Sequence, residues 1–210
     1  MLITGCLSGV KKVMKKEWSG ERIVVSYIAM EDLGHVCEML AKESVCRWLF
    51  FGPNSYEVTE SYFTPLIESV FQGLSDGAIP ESPVFTIFSK DSGDFAGQCA
   101  ILPVDFSPGA YLIGYQIDEG FQGLGFGTEA CEFLVYYAFN YAGAYRLNGD
   151  SAYENSPSWK IMERCGFTFE GRREKYWHVR GGYYDQVIYG LLKDSLDEDY
   201  ALYLADKWSE

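Results

Sequence analysis

Gln122-Gly123-Leu124-Gly125-Phe126-Gly127-Thr128 decides the reading of this chain. Three glycines alternate with other residues between a strand-like stretch, Ala110 to Asp118 (AYLIGYQID), and a helix-like one. With no side chains at 123, 125 and 127, backbone N–H groups can close around a ligand. The loop then runs into a helix N-terminus, whose free N–H groups and dipole attract anions; a pyrophosphate suits it. Three readings meet here. A P-loop needs Gly-Lys-Ser/Thr, which is absent. Gly125, Gly127 and Ala130 fit a dinucleotide fingerprint, but that motif opens a doubly wound parallel sheet, and antiparallel-looking strands precede it here. A plain Gly-rich turn before a helix is the third.

Working outward, Thr128 to Tyr141 places Ala130, Phe133, Leu134, Tyr137, Ala138 and Tyr141 on one helical face. Upstream, Arg22 to Ile28 reads as a strand, Glu31 to Lys42 and Thr59 to Leu74 as helices, and Pro83 to Ser89 and Phe95 to Val104 as a hairpin about Asp91–Asp94. Downstream, Tyr145 to Tyr153 reads as a strand. A short helix follows, with Ser156 as its N-cap, Pro157 at the first helical position and Gly166 past its end. Phe167 to Phe169, Lys175 to Val179 and Gln186 to Leu192 complete the strands, with Gly181-Gly182 as the last turn. This order predicts an α/β fold: a mixed sheet with antiparallel hairpins and one parallel crossover.

The chain has 210 residues, enough for one domain with short appendages. Residues 1–18 are expected to be a flexible leader, 19–193 the domain and 194–210 a C-terminal amphipathic helix. Seventeen Lys and Arg against 30 Asp and Glu give −13, which argues against a sequence-independent grip on nucleic acid and suits a cationic partner or simply a solvated surface. No uncharged apolar run approaches the roughly 18 residues of a membrane span. The six cysteines at 6, 37, 46, 99, 131 and 165 form no CxxC pair, and there are two His. A zinc site is therefore not expected; the cysteines read as reduced core residues of a cytoplasmic protein. Ile3-Thr4-Gly5-Cys6 looks like a lipoprotein signal end, but five residues before Cys6 leave no room for a charged start and apolar stretch. Met14 is an alternative start.

Four motifs stand in order: Gln122-x-x-Gly125-x-Gly127, Asn155-Ser156-Pro157-Ser158, Cys165-Gly166-Phe167 with Glu170-Gly171, and Asp185 to Tyr189. Together with Tyr111 and Thr128-Glu129-Ala130 they resemble the GNAT superfamily of acetyl-CoA-dependent N-acetyltransferases, in its ribosomal-protein N-terminal (RimJ/RimL-type) branch. The resemblance covers roughly residues 20–192. It implies a mostly antiparallel, splayed sheet flanked by helices, with strands 110–118 and 145–153 parting at one end. It implies that the pantetheine arm pairs with backbone near Ile117 and that the pyrophosphate sits on Gln122, Gly123, Leu124, Gly125, Phe126, Gly127 and Thr128. Asn155 and Ser158 would then lie near the thiol, though Asn155 also reads as a plain helix cap.

The implied chemistry is direct attack of a neutral amine on the thioester, which needs positioning, a proton sink and thiolate stabilisation. Many members place a Tyr acid four residues before the Gly of Gly-Phe. Met162 stands there, which leaves Ser158 as the candidate thiolate donor. Candidate bases are Glu174, His178, Asp118 and Glu119, each equally readable as a surface residue, and a water chain is a further alternative. Cys165 reads as a buried structural thiol. The expected acceptor is a primary amine: a protein N-terminus, a polyamine or a small amine. The other reading is a CoA-binding module without catalysis, acting as a sensor or interaction protein. The resemblance further implies that helices 31–74 and the hairpin near 176–184 form the acceptor side. Their aromatics Trp48, Phe50, Phe51, Tyr176, Trp177, Tyr183 and Tyr184 would line a pocket, fill a core or make a dimer contact. Monomer and homodimer both stay open, and no metal is expected.

Overall fold

A computed structural model describes residues 17–209. Eight strands form one sheet: β1 (Glu17–Ser19), β2 (Ile23–Tyr27), β3 (Val84–Ser89), β4 (Phe95–Pro103), β5 (Ala110–Ile117), β6 (Arg146–Ala152), β7 (Thr168–Val179) and β8 (Gly182–Leu192). Their spatial order is β1-β2-β3-β4-β5-β6-β8-β7. Every pairing is antiparallel except β5 with β6, which the helix α4 (Phe126–Asn140) connects. A parallel pair needs such a crossover, whereas hairpins join β1 to β2, β3 to β4, β4 to β5 and β7 to β8.

Two layers of helix cover the sheet. On one face, α4, α5 (Ser156–Arg164) and α6 (Glu198–Trp208) bury Phe85, Ile87, Cys99, Ile113 and Leu147. On the other, α1 (Leu33–Leu40), α2 (Glu43–Cys46) and α3 (Tyr56–Ser75) pack on Ile28 and Val84. Odd-numbered residues of β5 and β6 serve the first face and even-numbered ones the second, as strand alternation requires.

Four local readings are corrected. Glu17 and Trp18, assigned to the leader, form β1, and Trp18 is 1% exposed. Its indole meets Tyr27, Phe85, Phe133 and Tyr137 with centroids 5.1–5.9 Å away, too much apolar surface to leave in a tail. The rest of the leader, residues 1–16 with Cys6 and Met14, lies outside the described residues, as does residue 210. The N-cap of α5 is Asn155, not Ser156, and its side chain makes no capping bond. The last hairpin turns at Arg180-Gly181, with φ +49° and +76°, while Gly182 opens β8. Here the Arg180 guanidinium donates to the carbonyls of Cys46 (2.7 Å) and Gly52 (2.6 Å), contacts that hold a non-glycine residue in a left-handed turn. Finally, Phe167–Phe169 and Lys175–Val179 are the ends of one strand, β7, with a bulge between Arg173 and Trp177.

One pairing stops early. β5 and β6 are in register only from Ala110–Leu112 to Arg146–Asn148. Beyond, Ile113–Ile117 stays on β4 and Gly149–Ala152 stays on β8, so the two strands part. The sheet opens at its middle, and the chain from β5 into α4 passes the open end.

Candidate functional site

A cleft of about 750 Å³ occupies the parting. Its walls come from Tyr115, Gln116 and Ile117 at the free end of β5 and from Asn155, Ser158 and Ile161 of α5 and its cap. Gln122, Gly123 and Gly127 close one end, and Ser44, Arg47 and Trp48 roof it. Gly125 is the N-cap of α4, with φ +91°, and Gly123 has φ +74°. Both lie in the left-handed region that disfavours a side chain. At Gly127 an added Cβ would stand 2.9 Å from Ile161 Cδ1 and 3.6 Å from Ile117 Cγ1. Glycine there lets helix and cleft wall come together. The loop therefore presents the backbone of an α-helix start to the cleft, a fit for an anionic group.

Of the residues singled out from sequence, the fold brings Ile117, Gln122, Gly123, Gly127, Asn155 and Ser158 to the cleft wall. Leu124 points to solvent at 58% exposure, and Phe126 turns into the core, so only their backbone serves the loop. Thr128 and Gly125 belong to the same helix start. The Ile117 carbonyl accepts a hydrogen bond from Gln122 Nε2 at 3.0 Å, which marks it as a main-chain acceptor near the loop. An extended arm laid along β5 would pair there in the manner of an added strand.

The candidate bases fall elsewhere. Asp118 is held by Lys42 Nζ at 2.7 Å, and Glu119 accepts from Ser44 Oγ. Both are spent tying α2 to the end of β5. Glu174 is exposed in the β7 bulge and is not among the cleft-lining residues. His178 stacks on Tyr183 with centroids 4.6 Å apart, also off the wall. Met162 is buried, its sulfur against Gly149, so it adds core volume and no donor. Cys165 is buried and donates weakly to the Thr128 carbonyl, as a structural thiol would.

Sequence reasoning missed Tyr115. Its hydroxyl donates to the Ser158 carbonyl at 2.9 Å and lies 3.4 Å from Ser158 Oγ. Burial holds this phenol well above its ordinary pKa, so it stays protonated. It pins the first turn of α5, and with it Ser158, to β5. The clue in the sequence was slight: Tyr115 is one of several aromatic residues in a strand and has no spacing partner. Arg47 and Glu154 at the cleft were missed for the same reason. Among the described residues no group of three His, Cys, Asp or Glu could hold a metal, and no helix is long and apolar enough to cross a membrane.

Comparison with known proteins agrees with this geometry. The family described as "Acetyltransferase (GNAT) domain" matches residues 22–168. The "Uncharacterized N-acetyltransferase p20" of Bacillus licheniformis is 25% identical over 82% of this chain and 94% of its own length. The crystal structure of the ribosomal-protein-S5-alanine acetyltransferase from Vibrio fischeri superposes with a TM-score of 0.72 at 19% identity, covering 85% of this chain and 97% of that one. The spermidine N-acetyltransferase of Vibrio cholerae, solved with CoA and spermine, gives a TM-score of 0.69 at 17% identity, over 82% and 96%. At these identities the two structures speak for the fold.

Proposed function

Because the chain belongs to the GNAT family of acetyltransferases, we propose that it moves the acetyl group of acetyl-CoA directly to the primary amine of a peptide N-terminus. The observation that carries this reading is the parted β5–β6 pair with a left-handed glycine loop and a helix start at its end. That arrangement offers strand-like pairing for an amide-bearing arm and N–H groups for a pyrophosphate. Asn155 leaves its side chain off the helix cap and lines the cleft, so it is available to an arm lying there. Ser158, fixed by Tyr115, is the group we assign to the departing thiolate. The direct transfer needs no metal or covalent enzyme intermediate in this scheme; position and donors do the work.

Charge supports the peptide acceptor over a polyamine. A polyamine calls for several free carboxylates. Here Asp118 is neutralised by Lys42, and the cleft lining carries one carboxylate, Glu154, along with the cation Arg47. A single α-amine on a chain that also carries carbonyls fits this mixed lining better. Five cysteines among the described residues are buried and unpaired, which suits a reducing compartment such as the cytoplasm.

The test is release of free thiol from acetyl-CoA across a panel of short peptides, spermidine and small amines, with mass spectrometry of the product. Peptides should give one N-acetyl group per thiol released. Tight CoA binding without turnover on any amine would instead favour the non-catalytic binding module.

A further inference from the structure

Asp150 lies on β6 two residues past Asn148, the last residue of that strand in register with β5, and so stands at the root of the parting. Being even-numbered, it shares its face with Ala152, which packs with Trp177 and beside Trp48 in the segment after α2. This is the face opposite α4 and α5. Across the gap, the β5 residue at the same level is Gly114, where an added Cβ would meet nothing within 4 Å. Neither residue lines the 750 Å³ cleft itself; they stand just below it, where the strands begin to part and Gln116 marks the cleft's near edge, with a carboxylate on one strand and open space over a glycine on the other.

Amides border this space. Gln98 and Gln116 are cross-strand partners, and Gln98 Nε2 donates to Gln116 Oε1 at 3.0 Å. Gln116 lines the cleft. Gln98 is 4% exposed, and its own Oε1 has no hydrogen-bond partner among the described residues. A buried amide oxygen without a donor is costly, and it calls for an N–H or water to complete it. On the far side, Gln186 Nε2 donates to Asp150 Oδ2, and Arg173 Nη1 donates to Gln186 Oε1 at 3.3 Å. Among the described residues no donor reaches Oδ1 of Asp150.

We propose that Asp150 is the catalytic proton acceptor for the attacking amine, with the space over Gly114 as the amine site. This rests on the acetyl-transfer reading above. As the nitrogen lone pair forms the C–N bond to the thioester carbonyl carbon, an N–H proton passes to the Asp150 carboxylate. The C–S bond breaks, the electron pair leaves on sulfur, and the thiolate takes up a proton from water. Asp150 then returns its proton to water, so that the net change is one proton moved from nitrogen to sulfur. Burial raises the Asp150 pKa, while the Gln186 bond and the Arg173 charge oppose that rise. Such a carboxylate is a better base than an exposed one. The groups against it are the uncharged Gln186 from β8 and, as the charge, Arg173 from β7; the even-numbered Gly114 and Gln116 of β5, both uncharged, share its sheet face.

Asp150→Asn keeps the size and the Gln186 bond, so it is the informative change. It should lower kcat/KM for the amine by about 100-fold or more while CoA affinity stays within about threefold. Because both amine and base must be unprotonated, the acid-side slope of log kcat/KM against pH should fall from about two to about one. Stability gives a second readout. A carboxyl with a raised folded pKa stabilises fully below the unfolded value and loses that contribution as pH rises through the folded value. Asp150→Asn should therefore melt no lower than wild type at pH 7. Asp150→Glu should retain more of the rate than Asp150→Asn. Turnover within threefold of wild type in the Asn variant, or a CoA affinity lost in proportion to the rate, would overturn the assignment while leaving acetyl transfer intact. A wild type that acetylates no amine would remove the acetyl-transfer reading and this one with it.

Discussion

Gly125→Val separates backbone strain from loss of a ligand cradle. Gly125 has φ +91°, and an L residue in this region brings its Cβ against the following carbonyl at a cost of about 1–2 kcal/mol. A β-branched side chain sits at the upper end of that range. No clash adds to it, since the nearest heavy atoms to the new Cβ are Arg22 Nε at 3.5 Å and Cδ at 3.6 Å, ordinary contacts. For a domain of this size about 1 kcal/mol moves Tm by about 2–4 °C, so the variant should melt roughly 2–8 °C lower. Gly77 is the control. It has φ +72°, open space around it and no place in the cleft lining. Gly77→Val should lose a similar Tm and no CoA affinity. Gly125→Val should lose at least about tenfold in CoA affinity, or 1.4 kcal/mol, read by titration calorimetry beside scanning calorimetry. If both folded variants bind CoA as wild type does, the phosphate cradle is not at this loop.

Ser158→Ala should lower kcat by about 10- to 1000-fold with CoA affinity unchanged within a few-fold, since a donor to a developing thiolate acts in the transition state; steady-state rates and calorimetry read the two separately, and an unchanged kcat makes Ser158 an ordinary residue of the helix. A chain started at Met14 keeps β1 and should match the full chain in Tm and CoA affinity, whereas Trp18→Ala should cost about 3–5 kcal/mol in denaturant unfolding. Lys207→Met should cost about 3–5 kcal/mol by the same assay, because Glu132 (2.9 Å) loses its cation and the buried Glu129 (3.3 Å) keeps only the more distant Arg22 at 3.8 Å. Burial alone would lower the Lys207 pKa, but its bonds to Glu132 and Tyr203 raise it overall. Its contribution is therefore complete below the unfolded value of about 10.4 and is lost as pH climbs above it; in the Met variant that alkaline loss should vanish.

The order of elements was legible because most of it is local. β-branched runs, the helical face from Ala130 to Tyr141 and the glycine at 166 announce themselves within a few residues. β1 was not, because three residues carry no period; Trp18 belongs to the core only through partners as distant as Phe133 and Tyr137. The cleft divides the same way. Its glycine loop and the Asn155–Ser158 turn are contiguous and could be read. Asp150, Gln98 and Gln116 are ordinary polar residues of three strands, and only register brings them to one face. Asp118 and Glu119 were read as bases because they end the right strand. Lys42 and Ser44 lie more than seventy residues upstream, and no local pattern shows that they claim those carboxylates.

Those same carboxylates explain how a parted sheet keeps its width. Past Leu112 and Asn148 no ladder hydrogen bond joins β5 to β6, so something else must hold the two arms. The stretch from Lys42 to Gly52 does so. One end is tied to the tip of β5 through Lys42–Asp118 and Ser44–Glu119. The other is tied to the β7–β8 turn, where Arg180 grips the carbonyls of Cys46 and Gly52, while Trp48 meets Tyr184 and Phe50 meets Trp177 edge to face. The exposed ion pairs among these are each worth little. Arg180 differs, because one guanidinium satisfies carbonyls that would otherwise be left in a loop. The strap therefore sets both the roof of the cleft and its width.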